Sequence, residues 1–328
     1  RMYSWLRYLL SVSGYILFAR KDDALLLVSN PPLLGPWVWL LSLVRPVTYA
    51  MMVYDIYPDV LEQNSVIEVD GLLSRWWKSL NRLVYRRAKV VITIGARMAA
   101  RLQQQVGIEG AIVKVVPPWA DIEKIRPLER RLNPYLNRFI ESGDLVVIYS
   151  GNMGASHDID SMLAAAEILC SEPQIRFIFI GDGEKRSAVE TYISGHPNGN
   201  VRLFPFQPEE MLPFTLSLGD IALVALDEGM EELMVPSKVF SYLAAGSAIL
   251  AVANDESELS DLIDGSGCGV RVKPRQPERM VEALLSMFKS PTRLNEFKKR
   301  ARLLAEERHS LLKGVQSCAD ILELAGLS

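Results

Sequence analysis

From Leu145 onward, short apolar runs rich in Val, Ile and Phe alternate with longer amphipathic stretches. This is the pattern of repeated βα units on a parallel sheet covered on both faces. Six strands are predicted there: LVVIYS (145–150), IRFIFI (175–180), VRLF (201–204), DIALVAL (220–226), AILAV (248–252) and GVRV (269–272). With a helical pattern between each consecutive pair, they make a complete doubly wound domain. Upstream, ALLLVS (24–29), VTYAMMVY (47–54), VVITI (90–94) and VKVVP (113–117) alternate with helices in the same way, but with four strands this half reads as incomplete. Between the halves, residues 121–144 are charged and broken by Pro127 and Pro134, a hinge followed by a short helix. The boundary is placed near residue 135, giving domains 1–135 and 136–328. The predicted fold class is α/β with two parallel-sheet domains facing across a cleft, ligands lying at the carboxyl ends of the strands.

Residues 24–44 carry no charge over 21 positions, enough to span a bilayer. Asn30, Pro31, Pro32, Gly35 and Pro36 interrupt that run and suit a strand, a turn and a short helix instead. The preceding stretch has an apolar helical face of Trp5, Leu6, Leu9, Leu10, Ile16 and Leu17, flanked by Arg1, Arg7, Arg20 and Lys21. Such a helix packs on a sheet or lies on a membrane. No cleavable small-residue site occurs near Ala19, so it does not read as a signal peptide.

Charge narrows the function classes. The 328 residues hold 36 Lys and Arg against 39 Asp and Glu, a net charge of −3, which gives no global attraction to nucleic acid. Cys170, Cys268 and Cys318 are far apart without a CxxC pair, and His157, His196 and His309 form no HExxH motif. These spacings speak against a disulfide framework and a zinc site, and fit a reducing cytoplasm.

Three loops are candidates for chemistry. LVVIYS runs into Gly151-Asn152-Met153-Gly154, with a helix beginning near Asp158, and IFIGDGEKR places Gly181, Asp182 and Gly183 after the next strand. Glycines at such turns let backbone N–H groups approach a phosphate, and they equally serve a tight βα turn. Neither GxGxxG nor GxxxxGK[ST] is present. In EELMVPSKVFSYLAAG (231–246), Pro236, Ser237 and Lys238 put a helix start, a hydroxyl and an ammonium in one volume suited to a diphosphate. The plainer alternative is a capped helix with a solvated lysine.

VPSKVFSYLAAGSAILAV, followed by ESELSDLI and SGCGVRVKPRQPERMVEAL, strongly resembles the donor half of GT-B glycosyltransferases of the retaining family 4, especially those building bacterial surface polysaccharides. YSGNMG, FIGDG, VRLFPFQP and DIALVAL follow the same order, so the resemblance covers 145 to about 289. In the amino half, VYDIYPDVLEQ, YRRAKVVITIGARMAARL and VKVVPPWADIEKIRP are similar to that family with less specificity. The family's first strand and glycine-rich loop should precede residue 1, so an amino-terminal truncation is expected. The resemblance implies a nucleotide-diphosphate sugar held mainly by the second domain, with the acceptor on the first and no cofactor beyond that co-substrate. It places Gly151 and Asn152 near the phosphates. Gly181, Asp182, Gly183 and the Phe204-Pro205-Phe206 loop fall near the base and ribose, and Pro236, Ser237 and Lys238 at the diphosphate. Lys238 is the proposed catalytic cation.

Many relatives carry two Glu residues with seven residues between them, before the small-residue run. Here Ser241 stands at the second position and Leu233 at the first, with Glu231 and Glu232 beside it as candidates for one carboxylate. Asp55, after VTYAMMVY, is the candidate to orient the acceptor hydroxyl or accept its proton, or else an Asp that ends a strand before Pro58. His157 is either catalytic or an N-terminal helix residue. The expected activity is transfer of a sugar to a hydroxyl of a polysaccharide or lipid-linked acceptor. The alternatives are a sugar-nucleotide epimerase and a degenerate, non-catalytic binding partner. Segments 1–20 and 33–44, with Trp37, Trp39, Trp76 and Trp77, are expected to seat the acceptor domain on the inner face of the plasma membrane.

Overall fold

The computed structural model describes residues 2–18, 20, 23–107, 112–134, 140, 141, 143–154, 157–226 and 229–327. The chain divides into two compact units: Arg1–Pro117 with Glu232–Val235 and Gly314–Ser328, and Pro118–Glu231 with Pro236–Lys313. Position 135, where the boundary was expected, lies outside the described residues, as does much of the expected hinge helix. What is described of that hinge is a 3-10 turn at Arg130–Leu132.

The first unit runs α1 (Met2–Phe18), β1 (Ala24–Val28), α2 (Leu34–Val44), β2 (Thr48–Val53), α3 (Asp59–Gln63), α4 (Leu72–Arg87), β3 (Val91–Thr93), α5 (Ala96–Val106) and β4 (Val113–Val115). Its strands pair in parallel in the order β1-β2-β3-β4. The uncharged run 24–44 is a strand and a separate helix, as its prolines predict. Among the described residues, no helix is long and apolar enough to cross a membrane. The apolar face expected on α1 is only partly buried: Ile16 is in the core, whereas Leu10 and Leu17 are exposed. Arg1 and Lys21 and the side chains of Trp5 and Leu6 lie outside the described residues.

The second unit runs β5 (Leu145–Ser150), α6 (Ile159–Ile168), β6 (Ile175–Ile180), α7 (Arg186–Gly195), β7 (Val201–Phe204), α8 (Leu212–Ser217), β8 (Ile221–Ala225), α9 (Lys238–Ala245), β9 (Ala248–Val252), α10 (Glu258–Ser266), β10 (Gly269–Val272), α11 (Pro277–Phe288) and α12 (Pro291–Arg308). The last helix, α13 (Leu311–Leu324), belongs mostly to the first unit. The six strands are parallel in the order β10-β9-β8-β5-β6-β7. This is the arrangement of a doubly wound sheet, and its strand order reverses between β5 and β8. Alternate residues bury on opposite faces. Val147, Tyr149, Phe177 and Phe179 join Met162 of α6 and Leu284 of α11 in one core, which explains why the strands read as nearly continuous apolar runs.

Candidate functional site

Ligands of open α/β sheets bind outside the carboxyl ends of the strands where the order reverses. The loop after β5 and the start of α9, which follows β8, both leave strands that flank that reversal. Two tyrosines fix them there. Tyr242, one turn after Lys238 in α9, is fully buried, and its Oη accepts from the Ser150 N–H (2.5 Å) at the end of β5. At its other end α9 closes on Gly246 in the left-handed conformation (φ 71°), and the Arg302 guanidinium donates to the Ala244 carbonyl (2.7 Å). The helix is thus held at its middle and at its C-terminal end, with Lys238 in its first turn.

Lys238 reaches over Tyr149. Its Nζ donates to Tyr149 Oη (2.7 Å) and lies 4.0 Å from the centre of that ring. Tyr149 is fully buried, and its hydroxyl donates to the Asn152 carbonyl (2.7 Å). His157 Nδ1 stands 3.0 Å from the same hydroxyl. Among the described residues, no carboxylate forms an ion pair with Lys238. Burial therefore lowers the ammonium's pKa from 10.5 to about 7. His157 is likewise pushed down to about 4, first by burial and then by the Lys238 and Lys185 ammonium groups, so its imidazole is neutral at pH 7. Lys185 donates to the His157 carbonyl (2.8 Å), bringing a second cation to this loop from the segment after β6.

The glycine turns interlock. A Cβ at Gly181 (φ 142°) would sit 2.0 Å from the Gly151 carbonyl oxygen, and one at Gly183 (φ 141°) would sit 2.7 Å from the Met153 backbone. Gly151 N–H donates to the Ile180 carbonyl (2.8 Å), Met153 N–H to that of Asp182 (2.8 Å) and Gly181 N–H to that of Phe204 (2.9 Å). Those donors extend the sheet past its strand ends, and the glycines permit the close approach of two backbones. Asp182 is exposed and its side chain accepts from the Gly183 N–H. Asn152, Phe206 and Ser237 are exposed, Pro236 is buried, and the Ser237 hydroxyl makes no capping bond to α9.

The family model for glycosyl transferases group 1 matches residues 137–304, just over half of the chain. The chain belongs to that family. It is 31% identical over 79% of its length to a probable glycosyltransferase of Pseudomonas aeruginosa, WbjE, and spans 64% of that protein. Among solved structures, sucrose-phosphate synthase of Thermosynechococcus elongatus superposes with a TM-score of 0.78 at 14% identity, covering 98% of this chain and 78% of that one. Anabaena HepE, solved in complex with UDP, superposes with a TM-score of 0.76 at 14% identity, covering 97% and 81%. Both units thus have the parallel-sheet architecture of GT-B group 1 glycosyl transferases.

Sequence reasoning singled out Lys238 but not Tyr149, which it touches, nor Tyr242 and Lys185, which hold the end of β5 and the loop that follows it. The remaining predicted residues are placed separately. Glu231 accepts from Asn254 (2.6 Å) in the second unit. Glu232, in the first, pairs with Arg101 (3.0 Å), whose other nitrogen holds the buried Asp59 (2.8 Å). Asp55 follows β2 and has its carboxyl raised above the usual range by burial. Ser241 lies within α9. Among the described residues, no three His, Cys, Asp or Glu side chains converge as a metal site.

Proposed function

We propose that this protein transfers a sugar from a nucleoside-diphosphate sugar to a hydroxyl of a glycan or lipid-linked acceptor, with retained configuration at the transferred carbon. The observation that carries this reading is Lys238, a desolvated cation without a carboxylate partner among the described residues, at the reversal of a doubly wound sheet. A diphosphate supplies the missing anion. HepE, similar in fold, was solved with UDP, and the same ligand class suits this site. Gly151, Asn152 and the Pro236–Lys238 start of α9 face the phosphates in this reading, while Gly181–Gly183 and Phe206 lie toward the base and ribose.

In the reaction, the bond between the sugar's anomeric carbon and the diphosphate oxygen breaks, and a bond from the acceptor oxygen forms on the same face. The acceptor's proton passes to the departing diphosphate. That route needs no carboxylate nucleophile from the chain. Lys238 offsets charge accumulating on the leaving group, the place where a fixed cation in a dry site lowers the barrier most. Asp55, with its raised carboxyl, orients the acceptor hydroxyl. The nucleotide sugar is a co-substrate, and no resident cofactor or metal is invoked. A cytoplasmic site of action fits the unpaired cysteines.

Titration with UDP, GDP, ADP and dTDP and their sugar conjugates, followed by heat release, tests the reading. Selective binding of one nucleotide, weakened by Lys238→Ala, is expected. A folded chain that binds none would favour a non-catalytic partner, and donor conversion without an acceptor would favour an epimerase.

A further inference from the structure

The loop between α3 and α4 is built rigidly around a buried carboxylate. Glu62 accepts from the Asp70 N–H (2.8 Å), the Ser74 hydroxyl and the Lys78 ammonium (2.8 Å). Ser65 (φ 56°) and Asp70 (φ 50°) are held in the left-handed region that residues other than glycine seldom occupy. A loop fixed in this way would be expected to tuck its apolar side chains inward. Instead it leaves Val66 and Val69 each 66% exposed, interleaved with the exposed carboxylates of Glu68 and Asp70, and delivers Leu72 at 88% to the first turn of α4.

Helix α4 continues the display. Its core side is formed by Ser74, Trp77, Asn81, Val84 and Tyr85, all buried. On the opposite side Leu72, Trp76 and Leu83, spaced to fall within one narrow stripe, are exposed. Arg75, Arg82 and Arg86 flank that stripe along one edge, also exposed. From Leu72 to Arg87 the helix has no Asp or Glu and five cations. Ser79 is exposed in the same stripe, and Arg82 donates through Nε to the Gln105 carbonyl (2.8 Å). A helix whose solvent face joins leucine and an indole to charges that are arginines alone matches a bilayer surface: the ring sits at the headgroup boundary and the guanidinium groups reach toward the phosphates. Of the tryptophans expected at a membrane, Trp77 is buried and stacked on Tyr57 with ring centres 6.3 Å apart, while its neighbour Trp76 is 56% exposed. Helix α2 also exposes Leu43 and Val44, but it holds no charged residue to say what covers it.

We propose that the outer face of α4 docks the first unit on an anionic lipid bilayer. This rests on the first unit alone and is independent of the reaction proposed above. The full chain should float with mixed phosphatidylcholine and phosphatidylglycerol vesicles, and release progressively as salt is raised. It should not float with phosphatidylcholine alone. Leu72→Glu with Trp76→Glu should reduce the bound fraction at least about tenfold, and Arg75→Gln with Arg82→Gln about tenfold at low salt. All four substitutions lie on the surface, and an unchanged Tm confirms folding. Brominated lipid should quench the fluorescence of the bound chain, and Trp76→Phe should remove most of that quenching. Failure of the folded chain to float with anionic vesicles overturns the proposal. So does flotation that survives Leu72→Glu with Trp76→Glu, or binding indifferent to lipid charge. Self-association in solution that the same double variant abolishes would give the face to a second copy of the chain instead.

Discussion

Glu62 and Asp59 in the first unit and Lys238 in the second are all charged groups largely removed from water, but their surroundings differ. Glu62 is met by an ammonium, a hydroxyl and a backbone N–H, and Asp59 by Arg101 (2.8 Å) and Gln105 (2.6 Å). Lys238 is met by a phenol and a carbonyl, both neutral. Burial alone would raise the Glu62 carboxyl, yet the bonds from Lys78, Ser74 and Asp70 outweigh it and hold the group below its ordinary value. Nothing comparable offsets the desolvation of Lys238. A charge balanced within the fold supports the fold, whereas one left unbalanced is open to a counter-ion from outside, which in the reading proposed above is the diphosphate.

The comparison breaks first at its structural side. Glu62→Ala should destabilise the protein by about 3 kcal/mol in urea unfolding, because Lys78, Ser74 and the Asp70 N–H lose a shared buried partner. Nucleotide binding should be unaffected. Lys238→Ala should do the reverse: transfer falls more than about 100-fold, or about 2.7 kcal/mol in barrier, while Tm holds or rises. Near-normal transfer by a folded Lys238→Ala protein would remove this lysine from the mechanism, and a large fall in Tm would make it a structural cation like Lys78.

Much of the fold was legible because a parallel sheet covered on both faces writes its strands as apolar runs. LVVIYS, IRFIFI, VRLF, AILAV and GVRV are strands at the predicted residues. The prolines of 31–36 correctly argued against a spanning helix. A candidate site could be offered from sequence only where neighbours in sequence are neighbours in space, as at Pro236, Ser237 and Lys238. Tyr149 reads as one more apolar strand residue, and its contact with Lys238 joins positions 89 apart. Glu232 could be offered to a sugar because its partner, Arg101, lies 131 positions away. Trp76 and Trp77 are adjacent letters whose fates divide according to which side of α4 meets the core, and periodicity over one helix does not decide that when both sides carry apolar residues.

Opposite pH responses sharpen the comparison. A carboxyl held low, as at Glu62, contributes stability above its unfolded value near 4.5 that is lost as pH falls below it. At Lys238 the folded value is about 7 against 10.5 unfolded, so between these the unfolded chain binds more protons and the free protein gains stability as pH rises. A diphosphate that restores the ordinary lysine value must draw in a proton over the same interval. Nucleotide affinity should therefore fall about fivefold from pH 7 to pH 8, with proton uptake visible as a dependence of binding heat on buffer ionisation enthalpy. Lys238→Met should abolish both.

Tyr149→Phe should have the smallest effect and test the surroundings rather than the charge. The phenol oxygen accepts from the ammonium and so favours its charged form, while the ring beneath it favours the same form through its face. Replacement by Phe removes the first and keeps the second, and the half-buried ammonium can take a water in place of the lost acceptor. The Lys238 titration should then move down by about half a unit, giving about a twofold loss of nucleotide affinity at pH 7 and no loss at pH 5.5. That pH dependence separates positioning from packing, since a collapsed loop would weaken binding equally at both pH values. Equal loss at both would show that Tyr149 only supports the Asn152 turn, and that the low lysine value comes from burial alone.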